Sequence, residues 1–262
     1  MKLSISNIAW TKEQDEQVYH LMEKYQFQGM EIAPTRIFPE QPYRHLQEAR
    51  EWKKTVYETY GLEVSSMQSI WFGRTENMFA AVEERNALVE YTKRAIDFAH
   101  AIECKNLVFG CPRNRCIPDA SFEAVGVEFF AGLGAYACEN EVVIGMEANP
   151  PIYNTNYIND TKSALQLIKQ VDSKGFLLNL DVGTMICNGE QMDELLGYET
   201  KLSHVHISEP GLKPIEKREL HLELAKWLQD VNYQRFVSIE MGRQDDIAVI
   251  EAMMAYVKEI FV

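Results

Sequence analysis

Four short apolar runs in the second half of the chain each end on one side chain of a kind that binds divalent cations. They read VVIGMEANP with Glu147, FLLNLDVGT with Asp181, LSHVHISEP with His206 and FVSIEMG with Glu240. An aliphatic run that stops at a carboxylate or imidazole reads as a buried parallel strand whose C-terminal end opens onto a site. The four ligands are 34, 25 and 34 residues apart. Each interval holds one helix and one strand, the length of a repeating strand–helix unit. This spacing constrains the fold more than any other feature, because parallel neighbours need a crossover connection between them.

The same pattern runs through the first half. Strand-like stretches are LSISNIAW (3–10), GMEIAP (29–34), GLEVSSMQSI (61–70) and KNLVFG (105–110), followed by the ligand-bearing runs near 141–147, 176–181, 202–207 and 236–241. Between them lie stretches with apolar residues at three- and four-residue spacing, which reads as amphipathic helix. These include the segment with Val18, Leu21, Met22 and Tyr25, and those near 43–59, 80–102, 121–138, 161–171, 218–229 and 245–261. The unit around 186–198 is the weakest, with room for a short helical piece only. Eight strands alternating with helices predict a single-domain (β/α)8 TIM barrel over residues 1–262, a usual length for that fold. An open doubly wound sheet usually carries a glycine-rich turn after its first strand. Here that turn reads AWTKEQ, without glycine.

Charge and cysteines narrow the partners. A formal charge of −13 repels a phosphate backbone, so no nucleic-acid partner is expected. The five cysteines form an odd set with no C-x-x-C pair, which fits a reducing compartment. No apolar stretch has the length of a signal peptide or a membrane span, so the expectation is a cytoplasmic protein without a membrane partner. Self-association into a homo-oligomer is left open by the sequence.

In a barrel all strand ends of one polarity share one rim, where the chemistry of such folds sits. A single carboxylate after a strand commonly caps the next helix. Four such residues on four consecutive strands point instead to a shared site. Without a cation, three carboxylates buried together would repel one another. Glu147, Asp181, His206 and Glu240 are therefore expected to hold one divalent ion, Mn²⁺, Mg²⁺, Co²⁺ or Zn²⁺.

Taken together, these residues resemble the xylose isomerase-like TIM barrel superfamily, in the sugar phosphate isomerase/epimerase branch that includes tagatose and psicose 3-epimerases. The resemblance spans essentially the whole chain. It implies a metal-dependent sugar or sugar phosphate isomerase or epimerase working through an enediolate. Glu147 and Glu240 would then double as ligands and as the acid/base pair, one removing a carbon-bound proton and the other returning it.

Two positions depart from that pattern. The epimerases usually carry a histidine three residues after the Asp ligand, where this chain has Thr184. They tend to have an arginine six residues after the His ligand, where this chain has Leu212 with Lys213 beside it. Ser208, Glu209, Lys213 and His221 are the expected substitute lining. Trp10, Glu31, Gln68 and Asn114, at or beyond the ends of the first four strands, are expected to complete the wall. Asn149 and Tyr153 follow Glu147 and are expected to contact substrate or orient the loop. Arg36, Arg113, Arg115, Lys213 and Arg243 put cations on the same rim, which would suit a phosphate or carboxylate on the substrate.

Two other functions use the same framework. A cyclic polyol dehydratase would expel a β-hydroxyl from the enediolate, and a non-catalytic sugar-binding barrel would bind without turnover. The abasic-site endonuclease of the superfamily needs a histidine-rich trinuclear zinc site. With six histidines and Thr184 after Asp181, this chain does not offer one.

Overall fold

A computed structural model describes residues 1–262. Eight parallel strands close into a barrel in sequence order: β1 Lys2–Ser6, β2 Gly29–Ile32, β3 Glu63–Met67, β4 Asn106–Phe109, β5 Val143–Glu147, β6 Phe176–Asp181, β7 Leu202–Ile207 and β8 Phe236–Ile239. Pairing of β1 with β8, Leu3 beside Val237, completes the ring and leaves no sheet edge exposed. The helices are α1 Asp15–Lys24, α2 Pro34–Ile37, α3 Leu46–Tyr60, α4 Val82–Ala101, α5 Glu123–Glu139, α6 Thr161–Val171, α7 Val182–Asn188, α8 Glu219–Asp230 and α9 Ile247–Phe261. None is long and apolar enough to cross a membrane.

Local chemistry explains where these elements start. Asp160 caps α6 by accepting the Ser163 amide at 2.7 Å, and Ser163 reaches back to the Asp160 amide as a capping box. The same helix buries Ala164, Leu165, Ile168 and Val171 against the strands, the three- and four-residue period read from the sequence. Strands β2 and β4 are buried throughout, as both faces of a barrel strand require.

Element ends differ from the sequence reading in places that bear on the site. The first strand stops at Ser6, and Asn7–Ala9 turn as a 3-10 helix before Trp10. The short helix of the weak sixth unit begins directly after Asp181, earlier than expected, and is followed by a 3-10 turn at Met192–Leu195. Between β6 and β7 the register shifts at Leu178/Asn179, so that Asn179 lies beside His204 and Asp181 beside His206. That single shift aligns two of the candidate ligand positions.

Candidate active site

Strands β5 to β8 are hydrogen-bonded neighbours, and their C-terminal ends bring Glu147, Asp181, His206 and Glu240 together. One ligand atom from each lies within 4.8 Å of every other. His206 Nδ1 is 3.0 Å from Glu147 Oε2 and 3.2 Å from Glu240 Oε2. Both oxygens of Glu147 are held, Oε1 by the Asn149 amide and Oε2 by the Asn179 amide, each at 2.9 Å. Gly110 makes room for this carboxylate, since a Cβ there would lie 2.9 Å from Glu147 Oε1.

Asp181 serves two structures at once. Its Oδ1 accepts the Thr184 amide at 2.6 Å and caps α7, while its Oδ2 accepts the Ser208 hydroxyl. Ser208 in turn accepts the Gly183 amide at 2.9 Å, so β7 and the start of α7 are tied together through the carboxylate.

The electrostatics follow from burial. His206 is fully buried, Glu147 and Glu240 are nearly so, and Asp181 keeps some exposure at the mouth. Burial pushes Asp181 up to about 6, and the charge of Glu147 adds to this. Burial likewise pushes Glu240 up to about 7, with Glu147 and Asp181 adding and His206 opposing. Burial alone would lower His206, but the charges of Glu31 and Glu240 and its bonds to Glu147 and Glu240 hold it well above the usual histidine range. Three carboxylates and one imidazole nitrogen converging on one point are the donor set of a divalent-cation site. The residues present fit such an ion.

Beneath this cluster sits an arrangement that sequence reasoning did not assemble. Glu31, placed on the wall by the sequence, is a fully buried residue within β2. Its Oε2 accepts His206 Nε2 at 2.9 Å and lies 3.2 Å from His204 Nε2. Burial would raise the Glu31 carboxyl, but His206 and His204 outweigh it and hold it below the usual carboxylate range. Gln68 donates to Ser6 Oγ at 2.7 Å and to Glu31 Oε1 at 3.2 Å, and so supports this layer. The only sequence signal for it was the HVH alternation in β7, which puts His204 and His206 on one strand face.

A cavity of about 110 Å³ opens above the cluster. Of the expected residues it collects Glu147, Asn149, Tyr153, Asp181, Ser208, Glu209 and Glu240, and adds Pro112 and Leu212. Tyr153 Oη accepts the Gly211 amide at 2.8 Å and joins two rim loops. Glu209 makes a bidentate pair with Arg218, at 2.7 and 2.6 Å, which pins the two ends of the β7–α8 loop. A larger cavity of about 800 Å³ lies at the opposite end of the barrel, beside Lys2, Val143 and Phe236 at the starts of their strands, and holds none of the four candidate ligands.

The other expected wall residues are placed elsewhere. Trp10 donates its indole N–H to Asp15 Oδ1 at 2.7 Å, and Arg36 lies over its ring and pairs with the same carboxylate. Asn114 donates to the carbonyls of Arg74 and Glu76. Arg115 is fully buried and donates to the Glu147 carbonyl at 3.0 Å and to Asn149 Oδ1 at 2.7 Å, behind the cavity. His221 is buried within α8 against the Tyr256 hydroxyl at 3.0 Å. Arg113, Lys213 and Arg243 are exposed, the last pairing with Asp245 at 3.3 Å. Thr184, at the position of the epimerase histidine, donates its hydroxyl to the Ala148 carbonyl at 2.8 Å.

Comparison with known proteins gives one family. Residues 20–260 match the family described as Xylose isomerase-like TIM barrel. No curated protein matches the chain by sequence. Among solved structures, D-psicose 3-epimerase in the presence of D-fructose superposes with a TM-score of 0.81 at 17% identity, covering 100% of this chain and 99% of that one. The apo 3-keto-D-glucoside 4-epimerase YcjR from E. coli gives 0.78 at 19% identity, covering 99% of each chain. The IOLI protein with a bound zinc atom gives 0.71 at 17% identity, covering 99% of this chain and 96% of that one. At these identities the likeness concerns the fold.

Proposed function

Because the chain belongs to the xylose isomerase-like TIM barrel family, we propose that it is a divalent-metal-dependent isomerase or epimerase acting on a small, uncharged polyhydroxy carbonyl compound. One observation carries the reading: Glu147 from β5 and Glu240 beyond β8 both approach a single nitrogen of His206. A purely binding barrel has no need of two carboxylates at one point. An isomerase needs one to remove a proton beside a carbonyl and one to return it.

Glu147, Asp181, His206 and Glu240 would hold the ion. When bound, it supplies Lewis-acid stabilisation of negative charge on paired substrate oxygens. The residues divide the remaining work. Glu147 is fixed by two amide donors and stays in place. Glu240 has His206 as its one side-chain partner, so it is the freer of the two carboxylates to move a proton. Asn149 and Ser208 line the cavity while bonded to Glu147 and Asp181, and Leu212 and Pro112 supply an apolar edge.

The preference for a neutral substrate rests on where the cations went. The cavity lining contains no lysine or arginine. Arg36 is paired with Asp15 and Arg115 is committed to the Glu147 loop. A cavity of about 110 Å³ takes the reacting end of an open-chain sugar, not a polymer. The test is incubation of the Mn²⁺-loaded protein with neutral ketoses in D₂O. NMR should show deuterium entering at a carbon next to the carbonyl, together with an epimeric or isomeric product. An unsaturated product would identify a dehydratase instead, and no exchange with any ketose would overturn the catalytic reading.

A further inference from the structure

Glu31 is the one carboxylate with no exposed surface at all, and it lies in the interior of the barrel. An ionised carboxylate withdrawn from water is costly unless its oxygens are engaged. The partners here are few: Gln68 Nε2 on Oε1, and His206 Nε2 with His204 Nε2 on Oε2. The two imidazoles are not equivalent. His206 is at 2.9 Å in hydrogen-bonding geometry, whereas His204 Nε2 stands 3.2 Å away and has no hydrogen-bond partner. Glu31 is therefore aimed at His206, on the strand across the barrel.

The opposite ring nitrogen decides what this does. His206 Nδ1 faces Glu147 and Glu240, the direction from which an ion is held. A neutral imidazole carries one proton, and whichever nitrogen keeps it cannot bind a metal. With an ion held, the oxygens of Glu147 and Glu240 would be engaged on it, and Glu31, a carboxylate that only accepts, would keep the proton on Nε2 and leave the lone pair on Nδ1. We propose that Glu31 is a positioning residue for the metal centre: it fixes His206 as the Nε2–H tautomer and so sets how tightly the ion is held through Nδ1. Outer partners of this kind orient the ring and raise its basicity, and their loss weakens metal binding by about 10–100-fold. The inference rests on the four-ligand reading of the site.

Zinc titration of the full-length protein, combined with ¹⁵N NMR of its histidine rings, tests both separately. In the zinc-loaded wild type, His206 should show a metal-bound Nδ1 and a slowly exchanging proton on Nε2. Glu31→Gln keeps a carbonyl acceptor of the same shape, so the Nε2 proton should persist with zinc affinity lowered about 10-fold. Glu31→Leu removes the acceptor, so affinity should fall toward 100-fold and the proton should exchange freely. A merely structural role would lower the unfolding temperature of both variants without moving the ring signals or the affinity of the folded protein. Unchanged zinc affinity and an unchanged Nε2 proton would overturn the assignment, with Glu31→Gln deciding should Glu31→Leu not fold. A wild-type Nδ1–H with zinc on Nε2 would overturn it as well. Failure of the wild type to bind zinc at all would instead bring down the four-ligand site, and this inference with it.

Discussion

Asp181 accepts the backbone N–H of Thr184 at 2.6 Å, so the carboxylate that faces the cluster also caps the helix that leaves it. Capping and ligation can be separated, because asparagine caps a helix about as well as aspartate. Asp181→Asn should keep the fold's stability and lose divalent-metal affinity. Asp181→Ala should lose the affinity and also about 1 kcal/mol of stability. Calorimetric metal titration beside thermal unfolding checks both; equal stability of the two variants would mean that the cap contributes nothing.

Glu240→Gln separates holding the ion from moving the proton. Glutamine retains an oxygen donor but is no base near neutral pH. The variant should still bind Mn²⁺ while deuterium exchange into substrate disappears. Exchange at the wild-type rate would remove Glu240 from the acid/base role and leave Glu147 as the candidate.

Metal affinity should rise with pH. Burial holds protons on Asp181 up to about 6 and on Glu240 up to about 7, and His206 is raised as well, so protons compete with the ion at these groups. Stability of the metal-free protein should move the other way. The folded carboxyls bind protons more tightly than the unfolded ones, whose ordinary values are about 4. Their contribution is then fully present at low pH and lost as pH rises from about 4 through about 7. Titrations at several pH values, with unfolding curves compared between wild type and Glu240→Gln, check both signs. An affinity independent of pH would show that the ligands are already deprotonated.

Arg115 distinguishes a structural cation from a substrate-binding one. Its guanidinium donates to the Glu147 carbonyl and to Asn149 Oδ1. Arg115→Met should lower stability by roughly 1–3 kcal/mol for each acceptor left unpaired. It should leave the preference between a ketose and its phosphate unchanged. Neutral ketose turnover should also be insensitive to salt. A specific loss of activity on the phosphorylated sugar would restore Arg115 to the substrate's binding shell.

The candidate ligand set was legible because each member is a local event. A buried strand leaves a continuous apolar signature, and the residue that interrupts it at the C-terminal end is marked by contrast. Glu147, Asp181, His206 and Glu240 could thus be read with no knowledge of neighbours, and the closed eight-stranded barrel supplied the rim they share. The wall was harder to read. Trp10, Asn114 and His221 stand where a site residue would stand, but nearby groups (Asp15, the loop carbonyls and Tyr256) already engage them. Position along a strand says which end a side chain is near. It does not say which partner is closer than the substrate would be.

Sequence alone determined the strand–helix period and the order of the metal-type ligands, since both are written in local hydrophobic patterning. Only the tertiary structure decided that Glu31 serves His206, 175 residues away along the chain, and that Arg115 supports Glu147 from behind. Barrel closure creates the first contact, through the approach of β2 to β7 across the interior, and the pairing of β4 with β5 brings the second together. A buried charge is defined by what surrounds it, and that depends on how distant strands come together in space.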